Sequence, residues 1–191
     1  WRRSAASPAA ARGRVSSEPS REAERSALVR SLWWVAAAMT VHEAEEWNIA
    51  EWQQRNFVDH TGIPNEAIWL GLVVITALYL LWILLATRLR SPIAIAAVAL
   101  PAVALVAVGN SVQHITWTFL FAEYAPGVLT AALLVIPTSV VAMWRMVEVD
   151  RRFAIPLLAC AALWVAASAQ IVSAGRMLQP FQHQLQAVVM S

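Results

Sequence analysis

Long apolar runs separated by short polar breaks predict an all-α protein. A run of about 20 apolar residues is long enough to cross a bilayer as a helix. The pattern therefore predicts an integral membrane bundle of about five transmembrane helices. The expected helices run from about Ser26 to Gln54, Glu66 to Thr87, Pro92 to Phe121, Val128 to Val147 and Phe153 to Ser173.

Proline and glycine inside these runs predict irregular helix geometry. Pro101 and Gly109 interrupt the third expected helix, and Pro137 lies within the fourth. An internal proline removes one backbone hydrogen bond and bends the helix. The stretch Tyr124-Ala125-Pro126-Gly127 predicts a turn between these two helices.

The two ends of the chain differ in composition from this helical domain, which we place at residues 26–175. Residues 1–25 are rich in Arg, Ser, Ala, Pro and Glu and have no apolar periodicity, so we expect a disordered cytoplasmic tail. Residues 176–191 are expected to form a short C-terminal tail.

Composition and charge agree with a membrane protein. Hydrophobic residues make up 59% of the chain and the mean hydropathy is +0.57. The net charge is +2 and the pI about 9.3, but the arginines lie at the ends of apolar segments, which argues against nucleic-acid binding. The single cysteine, Cys160, excludes an internal disulfide framework and a cysteine-based zinc site.

The arginines also predict an orientation. With the N-terminus in the cytoplasm, all of the 14 basic residues except Arg55 and Arg176 fall on the cytoplasmic side. Tryptophans near the ends of the runs are typical of interfacial belts, with Trp34 and Trp144 on the inner side and Trp52 and Trp117 on the outer side. We therefore expect a bacterial plasma-membrane protein with a cytoplasmic N-terminus.

The stretch His42-Glu43-Ala44-Glu45-Glu46 is the main exception to the apolar pattern. It follows the apolar first half of the first expected helix. An ionised side chain at membrane depth costs about 2.5–3.5 kcal/mol on insertion scales. These side chains therefore need a partner, which is another polar residue, water, a proton or a metal ion.

A second histidine lies at a similar depth. At a rise of 1.5 Å per residue, His42 is about 21 Å from Leu28 and His114 about 32 Å from Ile93, both counted from the cytoplasmic side. Polar residues therefore converge in the outer half of the bilayer. His42 and Glu46 share one helix face, and imidazole with carboxylate suits Zn, Fe or Mn. We predict His42, Glu46 and His114 as metal ligands.

The remaining polar residues at this depth receive supporting roles. Glu45 is predicted as a further ligand or as the catalytic base for water activated by the metal. The pocket around the ligands is predicted to include five more residues, namely Asn110, Gln113, Thr130, Tyr124 and Glu43. A metal-free alternative is equally consistent with the pattern, since a protonated glutamate can hydrogen-bond to His114 and join the helices.

These residues resemble a known family. The first stretch fits the motif of the HXXEE-domain membrane proteins, and Asn110-x-x-x-His114 and Tyr124-x-Pro126-Gly127-x-x-Thr130 are similar to that family's later blocks. The resemblance extends over roughly residues 30–175. It implies a multi-helix membrane domain with a His/Glu site, and it implies no particular reaction.

Three functions are consistent with this pattern. The first is a metal-dependent membrane hydrolase or oxidoreductase that acts on a lipid or small amphiphile. The second is a proton-linked protein that binds or transports a small molecule. The third is a non-catalytic assembly subunit in which the polar cluster joins helices. The substrate and the oligomeric state are left open by the sequence.

Overall fold

The computed structural model describes residues 18–57 and 63–170, and within these ranges the chain is helical without strands. This confirms the predicted all-α fold. A short 3-10 turn, Glu46–Asn48, separates the first two helices. The helices are α1 (Glu18–Glu45), α2 (Ile49–Asn56), α3 (Asn65–Thr87), α4 (Pro92–Phe121), α5 (Val128–Val149) and α6 (Arg151–Gln170).

Helix α1 begins at Glu18, earlier than the predicted start at Ser26. Residues 18–25, which we expected in the disordered tail, are therefore helical. The guanidinium of Arg25 accounts for part of this order, since it donates at 3.2 Å to the carbonyl of Thr87, the last residue of α3, and at 3.2 Å to that of Leu89. The rest of the predicted N-terminal tail and the predicted C-terminal tail lie outside the described residues.

Four helices, α3 to α6, are long and apolar enough to cross a membrane. Helix α1 is not among them because charged residues occupy both of its ends. Its apolar middle is instead the centre of the bundle, with Leu28, Leu32 and Val35 fully buried. Helix α1 makes its largest contact with α5 and also packs against α3 and α4. The fold is thus a bundle in which α3, α4 and α5 pack around α1, while α6 lies against α4 and α5.

Two of the long helices contain π-helical segments next to prolines. In α4 the segment Ala102–Ala107 follows Pro101, and in α5 the segment Ala131–Val135 precedes Pro137. The Val108 N–H bonds to the Val103 carbonyl in this register, which leaves the Ala104 carbonyl available. The indole of Trp164 on α6 donates to that oxygen at 2.9 Å. The irregular turn therefore gives α6 a specific attachment to the bundle.

Candidate metal centre

Two histidines and one glutamate meet in the interior of the bundle. His42 comes from α1, Glu46 from the 3-10 turn and His114 from α4, and they are 0%, 3% and 2% exposed. Oε1 of Glu46 lies 2.9 Å from Nε2 of His42 and 2.9 Å from Nε2 of His114. The structure thus brings together the three predicted metal ligands, which we call the His/Glu triad.

Local geometry explains why these side chains meet. His42 and Glu46 are four positions apart, so they lie one above the other on the same helix face. His114 faces them from α4, and its ring meets that of His42 edge to face with centroids 4.8 Å apart. Helix α1 changes to 3-10 geometry at Glu46, immediately after the turn that carries His42.

The hydrogen bonding of the triad is incomplete. Both Nε2 atoms lie 2.9 Å from the buried Oε1 of Glu46, but among the described residues this oxygen has no hydrogen bond of regular geometry. Among the same residues, the buried Nδ1 of His114 has no hydrogen-bond partner either. A buried carboxylate oxygen left in this state is costly. A cation between the three ligand atoms, which lie within 4.8 Å of one another, would satisfy it, so the triad could hold a metal ion.

Two further polar residues contact His42. Its Nδ1 lies 3.0 Å from the Thr130 hydroxyl, and its Nε2 lies 2.9 Å from Nδ2 of Asn110. The Thr130 hydroxyl itself donates to the Gly127 carbonyl at 3.2 Å. Because that hydrogen is used, Nδ1 of His42 is the donor to Thr130, and Nε2 accepts from the amide N–H of Asn110, a hydrogen bond that a metal ion on Nε2 would replace.

Glu45 is directed away from the triad toward the start of α5. Its carboxylate accepts from the backbone N–H of Leu129 at 3.2 Å and of Thr130 at 2.7 Å, and from the Tyr124 hydroxyl. A carboxylate at this position satisfies free N–H groups of the first helical turn. Burial and the hydrogen bond to Glu45 raise the pKa of Tyr124 to about 12, so the phenol stays protonated as the donor at neutral pH.

Two of the predicted pocket residues lie elsewhere. Gln113 is exposed on α4. Glu43 lines a groove of about 330 Å³ between α1 and α3, with its Oε2 buried and unpartnered among the described residues. The helical spacing explains both positions, since each follows or precedes a triad histidine by one residue and therefore points about a quarter turn away.

Gly127 is a site residue that sequence reasoning assigned only to a turn. Its φ is +90°, and a Cβ at this position would lie 2.7 Å from Cε1 of His42 and 3.1 Å from Cε1 of His114. The glycine therefore closes the triad from the side of the α4–α5 loop. Its place after Pro126 and three positions before Thr130 gives no indication in the sequence that it contacts two imidazoles.

An aromatic cluster formed by Trp52, Phe57, Trp117 and Phe121 borders the triad. Trp117 packs against His114 with ring centroids 5.1 Å apart, and Trp52 packs on Trp117 at 5.4 Å. Trp52 is only 2% exposed and therefore faces the interior of the bundle. The short helix α2 carries this side chain inward, and its burial shields the triad from that side.

The fold and the site define a class, an all-α bundle of membrane-compatible helices with a buried His/Glu cluster. The chain belongs to the family described as "Protein of unknown function with HXXEE motif", whose model matches residues 33–142. This match includes the whole motif and the later blocks up to Thr130, and it confirms the resemblance seen in the sequence. No curated protein and no solved structure matches the chain significantly.

Proposed function

We propose that this protein is an integral membrane protein that holds one divalent transition-metal ion at the His/Glu triad and uses it in a reaction on a lipid or small amphiphile. The observation that supports the proposal is the convergence of two imidazole nitrogens on one buried carboxylate oxygen that has no hydrogen bond of regular geometry among the described residues. Two histidines and one glutamate leave a fourth position open, as in catalytic zinc sites.

The chemistry of the ligands limits the choice of metal. Two imidazoles and one carboxylate suit Zn, Fe or Mn, which the ligand types alone do not separate. When bound, such an ion polarises a carbonyl or phosphoryl group and makes water a stronger acid. These ligands are therefore compatible with both hydrolysis and oxidation.

The neighbouring residues act by positioning the ligands. Thr130 fixes the ring of His42 through Nδ1, and Glu45 holds the backbone of Thr130 at 2.7 Å. Both oxygens of Glu45 already accept hydrogen bonds. We therefore assign Glu45 to positioning the start of α5 and not to proton transfer. The sequence suggested a catalytic role for Glu45, and we do not assign that role to any residue of the triad.

Replacing Thr130 by valine should weaken metal binding by about 10- to 100-fold, because loss of a partner on the outer nitrogen of a histidine ligand has this effect. The T130S variant keeps the hydroxyl and should bind metal like the parent protein. A competition titration with a chromophoric chelator measures both. Equal affinities for T130V and T130S would contradict the positioning role of the hydroxyl.

The main competing function is structural, and the short contacts themselves favour it. Imidazolium groups could donate to Glu46 at the observed 2.9 Å once the rings rotate slightly, and the triad would then join α1 to α4 without a metal. Transport has less support, because the main core of the bundle, which includes Ala99, Val103 and Val135, is apolar. A carrier needs a polar path across the bilayer.

Metal removal and restoration test the proposal. Detergent-purified protein is stripped with a chelator, reloaded with Zn, Fe or Mn and incubated with vesicles of phosphatidylethanolamine and phosphatidylglycerol, and the lipids are followed by mass spectrometry. We expect one metal to restore both thermal stability and a change in lipid composition that the E46Q variant lacks. A stable protein that binds none of the three metals would support the structural alternative. Metal binding without any change in the lipids would refute the proposed reaction but not the proposed metal site.

A further inference from the structure

A second site lies at the opposite end of α1, between this helix and α5. It is a cavity of about 430 Å³, which we call the arginine groove, and its lining includes Arg30, Trp34, Thr138 and Arg145. Arg30 precedes His42 by twelve positions, which corresponds to about 18 Å along the helix. The groove is therefore separate from the triad and does not depend on the function proposed for it.

We propose that the arginine groove binds the phosphate headgroup of an anionic phospholipid. Two guanidinium groups in one cavity match a phosphate, since each offers several N–H donors in a planar fork. Arg30 makes no ion pair within residues 18–57 and 63–170. Arg145 pairs with Glu148 at 2.6 Å, but the pair is 44% and 45% exposed, and the guanidinium keeps further donors for a ligand.

The walls of the groove match the rest of a lipid molecule. Trp34 lies at its edge with 63% of its surface exposed, and Val141 is an exposed apolar wall. An aromatic ring beside guanidinium groups is typical of the level of the headgroups. The Ser31 and Thr138 hydroxyls already donate to backbone carbonyls of their own helices, so the donors for a phosphate are the two guanidinium groups.

The charge of this end of the bundle favours the same ligand. The α3–α4 connection lies near this end, because Arg25 of α1 donates to the carbonyls of Thr87 and Leu89. The α5–α6 connection follows the last turn of α5, whose Arg145 lines the groove itself. These connections carry the exposed arginines Arg88, Arg90, Arg151 and Arg152. Basic pockets between membrane helices on the cytoplasmic side bind anionic headgroups, and each Arg near the surface adds to the attraction.

The test compares two arginine pairs at this end. Full-length protein in nanodiscs or detergent is titrated with phosphatidylglycerol and with phosphatidylcholine, and bound lipid is counted by native mass spectrometry. We expect one phosphatidylglycerol to bind, and the R30Q/R145Q double variant to lose about 30-fold in affinity. The R88Q/R90Q double variant removes the same charge from exposed positions outside the groove and should lose clearly less affinity than R30Q/R145Q.

Three results would overturn the proposal. Equal losses in both double variants would mean that only the general charge of this end attracts lipid. Equal binding of phosphatidylcholine would mean that the headgroup charge is not recognised. If inorganic phosphate competes for the groove as strongly as phosphatidylglycerol does, the groove is a site for free anions and its apolar wall has no role in binding. All four substituted arginines are exposed, and folding is checked by thermal unfolding of each variant.

Discussion

Replacing His114 by alanine is expected to lower the affinity for the transition metal by at least about 100-fold. Loss of a residue that only orients a ligand costs about 10- to 100-fold, and loss of a ligand itself should cost more. The substitution leaves one imidazole and one carboxylate, which is too few for a tight site. A competition titration against a chromophoric chelator in detergent gives the affinity.

The matched control is Q113A on the same helix. Gln113 is the immediate neighbour of His114 but is exposed, whereas His114 is 2% exposed. We expect Q113A to bind metal like the parent protein. If H114A and Q113A bind metal with equal affinity, His114 is not a ligand.

Replacing Gly127 by alanine is expected to destabilise the protein by about 2–5 kcal/mol. The new Cβ would lie 2.7 Å from Cε1 of His42 and 3.1 Å from Nδ1 of His114, so two buried rings would have to move. Overpacking of this kind costs about 1–3 kcal/mol, and the positive φ of +90° adds about 1–2 kcal/mol for any residue with a Cβ. Equilibrium unfolding in mixed detergent micelles measures the difference.

Gly71 provides the control for this substitution. It lies in α3, where an added Cβ would meet nothing within 4 Å. G71A should therefore keep or slightly raise the stability, by about 0.5–1 kcal/mol at most, because alanine favours a helix over glycine. Equal effects of G127A and G71A would show that the loop does not pack on the imidazoles as described.

The helices could be predicted from the sequence because long apolar runs interrupted by Pro, Gly and Arg are compatible with few structures other than a set of helices. The positions of Pro101 and Pro137 likewise predicted where α4 and α5 become irregular. The start of α1 could not be predicted, since residues 18–25 are polar and their order involves Arg25 reaching carbonyls more than 60 positions away in the chain.

The convergence of His42, Glu46 and His114 followed from helical spacing and depth alone. The contacts of the individual carboxylates could not be predicted in this way, because three glutamates within four positions point in three directions. Glu46 joins the triad, Glu45 accepts from the start of α5, and Glu43 faces the groove toward α3. Which carboxylate serves which neighbour depends on the helices that pack around α1, and that information lies far away in the sequence.

The most direct test of the central claim is X-ray absorption spectroscopy at the metal edge of protein purified with its bound metal. If the triad holds the ion, the spectrum should show only nitrogen and oxygen neighbours at about 2.0–2.2 Å, together with the outer-shell scattering of two imidazoles. The H114A variant should lose the contribution of one imidazole. A metal coordinated without imidazole, or purified parent protein without stoichiometric metal, would contradict the account.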